Sequence, residues 1–398
     1  MREELLEAVS GLLEAKFSSL RKPIRKNLAQ LTVAFIRVLG AIRSGNGRLS
    51  LASLYRAWPL ATRPKAREKR LHRFLQNPRL DYRSMSSCLA STVLAGKQGF
   101  CPVVFDQTKS GSAQALVSGV PYSGRVLPLS CYTFSYPLSE PGLKSQNQLE
   151  HIFLLDTEAA FPEGLVPIWI GDRIYSRALL LEQSEAEGRL YLVRGRSGTI
   201  IIYQGKRLKL NQLKAPPRRA VRYQKVLYQE RKKVLVDVVV YYDPDYQEPW
   251  YLLVPIRSRP ILNDQAVVNL YRERMQIEQS FRDFKTHLGL RGLKLKKDIT
   301  ARTGRLLLAF CIAYILCLLL GESELAAEAR RVFEIPRKFP RHGTARTLSA
   351  LTLAMHMLSH PDWLERSLLL LVKIIMQLAA NRLSVNLSPN LIESARGP

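Results

Sequence analysis

The sequence predicts a mixed α/β fold, and two observations carry that expectation. Between Phe100 and Asp172 the strand-like runs CPVVFDQT, ALVSGV and RVLPLSCYTF, with a turn at GVPYSG, precede a helical stretch, SQNQLEHIFLLDTEAAF, and a short buried strand, VPIWIGD. Strands leading into a helix and then a further strand point to a mixed sheet with helices packed on it. On either side apolar residues recur every three or four positions instead. LLEAVSGLLEAKF and NLAQLTVAFIRVLGAIRS near the start, and most of the chain from Asp264 onward, therefore read as helices.

This periodicity divides the chain into five stretches. Residues 1–95 form an N-terminal helical region and 96–180 the first part of the α/β core. Residues 181–261 are strand-like again, in RLYLVRG, GTIIIYQG, VRYQKVLYQ, KVLVDVVVYYD and PWYLLVPI, and read as an inserted basic β-rich subdomain. Residues 262–332 return to the core, and 333–398, opening on the Pro- and Arg-rich EIPRKFPRHGTAR, form a C-terminal helical region. No internal repeat or low-complexity segment interrupts this order.

The 398 residues are 46% hydrophobic, enough for a large core but too many for a single small one. Lys and Arg outnumber Asp and Glu by 60 to 33, a formal net charge of +27. Such a surplus repels itself in a folded chain and points to a polyanionic partner, nucleic acid ahead of an anionic membrane surface. Clusters at Arg21, Lys22, Arg25 and Lys26, and at Arg63, Lys65, Arg67, Lys69, Arg70 and Arg73, place DNA-backbone contacts on the N-terminal helices. A second basic group, from Lys206 to Lys233, lies in the insertion.

Cys88, Cys101, Cys131, Cys311 and Cys317 form no CxxC pair and read as reduced thiols, neither a disulfide framework nor a zinc site. His72, His151, His287 and His342 occur in no ligand-like spacing and read as structural. The start, MREELLEAVSGLLEAKF, is acidic and amphipathic, unlike a secretory signal. The longest apolar run, Leu306 to Leu320, falls short of the ~20 residues that span a bilayer and reads as a buried core helix. A soluble protein of the cytoplasm, associated with the nucleoid and not with a membrane, is the expectation.

Two aspartates end apolar runs: Asp106 in VVFD and Asp172 in PIWIGD. A carboxylate at the mouth of a buried strand suffers desolvation unless a cation sits against it, and two such strands side by side would share one crevice. Hard oxygen ligands of this kind suit Mg²⁺, although strand-end aspartates also serve as turn or cap residues. Asp156, in IFLLDTEAA, is a rival for the second position but falls within the preceding helix. More specific is NLYRERMQIEQSFRDFKTHLGL. At about 100° per residue, Tyr271, Arg274, Glu278 and Lys285 fall within roughly 60° of one another on a helix. That stripe offers a phenol, a guanidinium, a carboxylate and an ammonium, beyond what an ordinary i,i+4 surface pair of Arg274 and Glu278 needs.

Tyr-x2-Arg-x3-Glu-x6-Lys, here Tyr271, Arg274, Glu278 and Lys285, resembles the signature of the DDE insertion-sequence transposases named after that Tyr-Arg-Glu-Lys motif. FDQT around Asp106 resembles the family's first catalytic Asp and IGDR around Asp172 its second, although IGDRIYSR is not the commonest form of that motif. The β-rich segment before Glu278 is similar to the family's inserted subdomain, and REKRLHRFLQNPRL to its N-terminal region. The resemblance implies a ribonuclease-H-like catalytic core carrying that insertion between helical ends.

It further implies two Mg²⁺ (or Mn²⁺) ions on Asp106, Asp172 and Glu278, and Tyr271, Arg274 and Lys285 on DNA phosphates. Trp250 matches the tryptophan that in well-studied relatives stacks on a flipped base near the transposon end. The activity implied is cut-and-paste transposition through a hairpin, on duplex DNA with terminal inverted repeats and on target DNA, by a homodimer in the synaptic complex. Two other readings are a non-catalytic DNA-binding regulator derived from a transposase and a ribonuclease-H-like nuclease without strand transfer.

Overall fold

The computed structural model describes residues 2–45, 49–110, 113–140, 142–231, 233–287, 295, 299–335, 338, 339, 347–383, 385 and 387. Helices α1 (Arg2–Lys16), α2 (Lys22–Arg43), α3 (Leu51–Ala57), α4 (Pro64–Gln76), α5 (Tyr82–Ser86) and α6 (Cys88–Val93) open the chain. Strands β1 (Gly99–Ser110), β2 (Ala113–Tyr122) and β3 (Arg125–Ser135) follow, then α7 (Gln146–Glu158), β4 (Leu165–Gly171), α8 (Ala178–Ala186) and β5 (Leu190–Arg194). The strand-rich stretch supplies β6 (Ile200–Tyr203), β7 (Lys206–Lys209), β8 (Ala220–Tyr228), β9 (Val234–Tyr241) and β10 (Trp250–Val254). The chain continues with α9 (Asp264–Glu273), α10 (Met275–Arg282), α11 (Ile299–Gly321), α12 (Glu324–Phe333), α13 (Ala350–Ser359) and α14 (Pro361–Ala379). The helices begin where polar side chains satisfy their free N–H groups: Ser50, Ser145, Asn263, Ser323 and Ser349 each accept from the first turn.

The strands lie in one sheet, in the order β3-β2-β1-β4-β5-β10-β9-β8-β6-β7. β1, β4 and β5 run parallel, and the remaining neighbours are antiparallel. The fold is mixed α/β, as the sequence predicts. The parallel strands are apolar on both faces, because helices cover a parallel sheet on both sides. The strands of residues 181–261 join the same sheet: β5 pairs parallel with β4, and β10 pairs with β5 and leads on to β9 and β8. Buried Asp237 on β9 is clamped there by Arg222 and Arg259, so part of the basic charge in the insertion is spent internally.

The core centres on α11, buried from Leu306 to Leu320 between the sheet at β3 and the helices α2 and α13. By length and composition Thr300–Gly321 could cross a bilayer, yet here its most apolar stretch is covered by protein. α1 packs along α14 and α2 against α13, so helices from both ends of the chain share one apolar layer. Cys101, Cys131, Cys311 and Cys317 are buried free thiols and Cys88 is half-buried.

At Gly321 the α11 backbone meets α13 so closely that a Cβ would lie 1.9 Å from the Ala350 carbonyl oxygen. Backbone cannot rotate away as a side chain can. Gly321→Ala is therefore expected to lower stability in urea unfolding by ~1–3 kcal/mol, the range for an overpacked core; an unchanged midpoint would mean that the helices separate freely.

Candidate active site

The register of β1 and β4 builds the acidic site. Val104 pairs with Ile170 at the end of their parallel ladder. Side chains alternate along a strand, so Asp106 and Asp172, each two residues further on, stand side by side on one face. Phe105 points to the other face, where it meets Trp169 edge-on, and Trp169 in turn donates to Glu158 of α7. Asp106 does not end its strand as expected. β1 runs on to Ser110 because the hairpin with β2 carries it, with Asp106 opposite Val117. Only β4 stops, at Gly171, leaving Asp172 at the head of a 3₁₀ turn, Arg173–Tyr175.

Glu278 reaches this point on α10, which is fastened to the β2–β3 turn. Ser123 and Gly124 take positive φ there, the geometry a two-residue hairpin turn needs. Gln276 accepts from the Tyr122 N–H at 3.0 Å and Ser280 from the Val126 N–H at 2.9 Å. Arg125 grips Asp283 through Nε at 2.5 Å and Nη2 at 3.2 Å. These anchors hold one side of α10, and Glu278 projects from another.

The single helical stripe expected for Tyr271, Arg274, Glu278 and Lys285 is corrected in two places. α9 and α10 meet at Arg274, where the Arg274 N–H donates to the Tyr271 carbonyl and the Ile277 N–H to the Arg274 carbonyl, three residues apart. In such a tightened turn residues i and i+3 eclipse, and so the Arg274 guanidinium lies over the Tyr271 ring, 5.5 Å from its centre. Beyond α10 a π-helical turn, Asp283–His287, changes the phase before half-buried Lys285.

Arg274 links two of the three carboxylates. Its guanidinium, 6% exposed, donates from Nη2 to Glu278 at 2.7 Å and pairs with Asp106 at 3.7 Å. The Tyr271 hydroxyl completes the circuit, 3.5 Å from Asp172 Oδ1. Burial first, then the charges of Asp172 and Glu278, push the Asp106 carboxyl up to about 6 against the Gln107 N–H and Arg274. Burial likewise pushes the Tyr271 phenol up to about 12. Among the described residues no three acidic, His or Cys side chains converge closely enough to hold a metal ion as they stand. Asp156 is not part of this site: on α7 it accepts from Tyr132.

Residues 144–316 match the family model of the transposase DDE domain. The match supports a DDE transposase. It spans Asp172 and Glu278 and begins after Asp106. The mixed sheet with its covering helices is consistent with the ribonuclease-H-like core of such transposases, and a transposase domain implies DNA as the partner. No curated protein matches the chain.

Beside these carboxylates stands an aromatic cluster. Trp250 opens β10 and is 9% exposed. Tyr271 meets it edge-on at 5.0 Å, Tyr241 lies at 5.9 Å, and half-exposed Tyr246 tilts over it by 31° at 5.5 Å. His72 faces Arg302 and His151 pairs with Glu187, while the side chain of His287 and the whole of His342 lie outside the described residues. Sequence reasoning missed a support layer behind Asp106. Gln146 donates to Gln107 and to buried Glu150, which Arg177 also contacts, and burial pushes the Glu150 carboxyl up to about 7. A charged residue between Leu149 and Phe153, on the apolar face of α7, was the available signal.

Asp283 was missed as well. It is 1% exposed, and removing its carboxylate would leave Arg125 unpaired at the base of α10. Asp283→Ala should cost ~3–5 kcal/mol, as breaking one side of a buried pair does. Loss of that size in denaturant unfolding supports the anchor; a change below ~1 kcal/mol would show that α10 docks without it.

Proposed function

We propose that this chain is a DNA transposase whose catalytic carboxylates are Asp106, Asp172 and Glu278, and that it cuts at the ends of a mobile element and joins the freed strand to target DNA. The observation that carries the reading is that one guanidinium pairs with Asp106 of β1 and Glu278 of α10, while the Tyr271 hydroxyl beside it reaches Asp172 at the end of β4. Three carboxylates offer only hard oxygens, the donor set of Mg²⁺ or Mn²⁺ and not of zinc or copper. Two divalent ions held by them would supply charge neutralisation at the phosphate and activation of the attacking oxygen.

The chain's own residues position the DNA. Arg274, with its planar fork, and Lys285 suit phosphates of the strand at the site, and Tyr271 holds Asp172 in place. Trp250 is the platform for an extruded base, with the Tyr246 ring as its cover in the free protein. A flipped base relieves the sharp bend of a hairpin end, which a simple nuclease does not make. On α4, exposed Lys65, Lys69 and Arg73 recur every four residues and so share a solvent-facing side suited to the DNA backbone. Arg67 and Arg70 turn inward, to the Arg56 carbonyl and to Asn27. Two copies bring two ends together in the synaptic complex.

Asp106→Asn, Asp172→Asn and Glu278→Gln are each expected to slow end cleavage by about a thousandfold or more, several kcal/mol at 1.36 per decade, with duplex binding nearly unchanged. If Asp156→Asn fails to cut and Asp172→Asn cuts normally, the second carboxylate is misassigned.

The hairpin step separates a transposase from a nuclease. Aromatic stacking on a base is worth ~1–3 kcal/mol. Trp250→Ala should thus spare the first nick and slow hairpin formation between about fivefold and a hundredfold, with Trp250→Phe recovering most of the rate. A gel time course resolving nick, hairpin and double-strand break reads this. Equal loss of all products in both variants would make Trp250 a core residue only.

A further inference from the structure

We propose that Arg274 is the stand-in cation of the acidic site in the free protein, so that its guanidinium and divalent ions exclude one another until a DNA phosphate draws the guanidinium away. The inference rests on Asp106, Asp172 and Glu278 being the cation-binding carboxylates. Arg274 is 6% exposed, yet its Nε and Nη1 have no hydrogen-bond partner. Its contacts are one hydrogen bond to Glu278, a weak one to the Met275 sulfur at 3.3 Å, the looser ion pair with Asp106 and the face of Tyr271.

A guanidinium offers five donors, and leaving buried donors unused is costly. The arrangement offsets part of the negative charge of the acidic site without satisfying the arginine. It also uses an oxygen of Glu278 that a metal ion would need, and its positive charge repels a second cation at contact distance in a poorly solvated site. A phosphate fits the planar fork through two parallel hydrogen bonds and satisfies more of its donors. The way out is short: Glu278 and Met275 beside it are both substantially exposed, whereas Asp106 is largely covered. Tyr271 moves little in such an exchange, because its ring is packed against Trp250. Cation entry is thereby tied to the arrival of DNA, and the free protein holds its acidic residues together without ions.

The test is Mn²⁺ titration of the DNA-free full chain, with unbound Mn²⁺ read by electron paramagnetic resonance. The wild type should bind weakly, Arg274→Gln about tenfold or more tightly, within the usual span of coupling between ligands, and Arg274→Lys like the wild type. Adding Asp106→Asn to Arg274→Gln should abolish the gain. Equal Mn²⁺ affinity in wild type and Arg274→Gln overturns the proposal and leaves the carboxylate reading standing. A gain that survives Asp106→Asn removes the carboxylate site itself, and the proposal with it. A second arm needs no change at Arg274. A short pre-cleaved duplex should raise wild-type Mn²⁺ affinity by a similar factor, beyond any rise in Asp106→Asn protein with the same duplex. Mn²⁺ should tighten duplex binding reciprocally, and no rise in the wild type would reduce Arg274 to a structural ion pair.

Discussion

Asp283 is the joint on which the arrangement turns. It is buried where the β2–β3 turn, the end of α10 and the middle of α11 meet, and it accepts from Arg125 on the turn and from Tyr314 on α11. Tyr314 also reaches Ser280, which holds the Val126 N–H. One carboxylate and one hydroxyl thus tie the core helix to the sheet edge and orient the helix that carries Glu278. A buried carboxylate with several charge-assisted donors is strongly directional, so this joint sets α10 to the angle at which Glu278 meets Asp106 through Arg274.

The sheet performs two tasks at its two ends. Near β1 and β4 the parallel ladder stops just short of the pair Asp106 and Asp172, and the antiparallel hairpin β1–β2 braces one of the two strands beyond that point. Past β5 the strands β10, β9 and β8 continue the same sheet, and Asp237 gathers Arg222 and Arg259 at the base of α9. Trp250 begins β10 close to Tyr271 because that extension lies directly under α9. The strand-rich stretch is therefore structurally continuous with the acidic site.

Net charge is distributed unevenly between internal and external work. Arg83, Arg125, Arg189, Arg222 and Arg257 engage carboxylates within the fold, whereas Lys65, Lys69 and Arg73 on α4 face solvent. A surplus of 27 positive charges is thus no measure of the nucleic-acid surface by itself, since burial recruits arginine as a partner for acids.

The sequence by itself determined the elements and the chemistry available. Periodicity marked the strands through Asp106 and Asp172, the apolar α11 and the helical ends, because burial of one face is written locally in residue spacing. Spacing also singled out Tyr271, Arg274 and Glu278. Tertiary structure alone decided how these residues meet. The length of β1 beyond Asp106 depends on pairing with β2, the eclipsing of Tyr271 and Arg274 on a tightened turn, and the phase of Lys285 on a π-helical turn. Asp283 and Glu150 look like ordinary helix carboxylates in sequence. Their partners, Arg125 and Arg177, lie far along the chain from them and come into contact only when the sheet and its helices close. Local spacing encodes which face is buried; it does not encode what another segment places against that face.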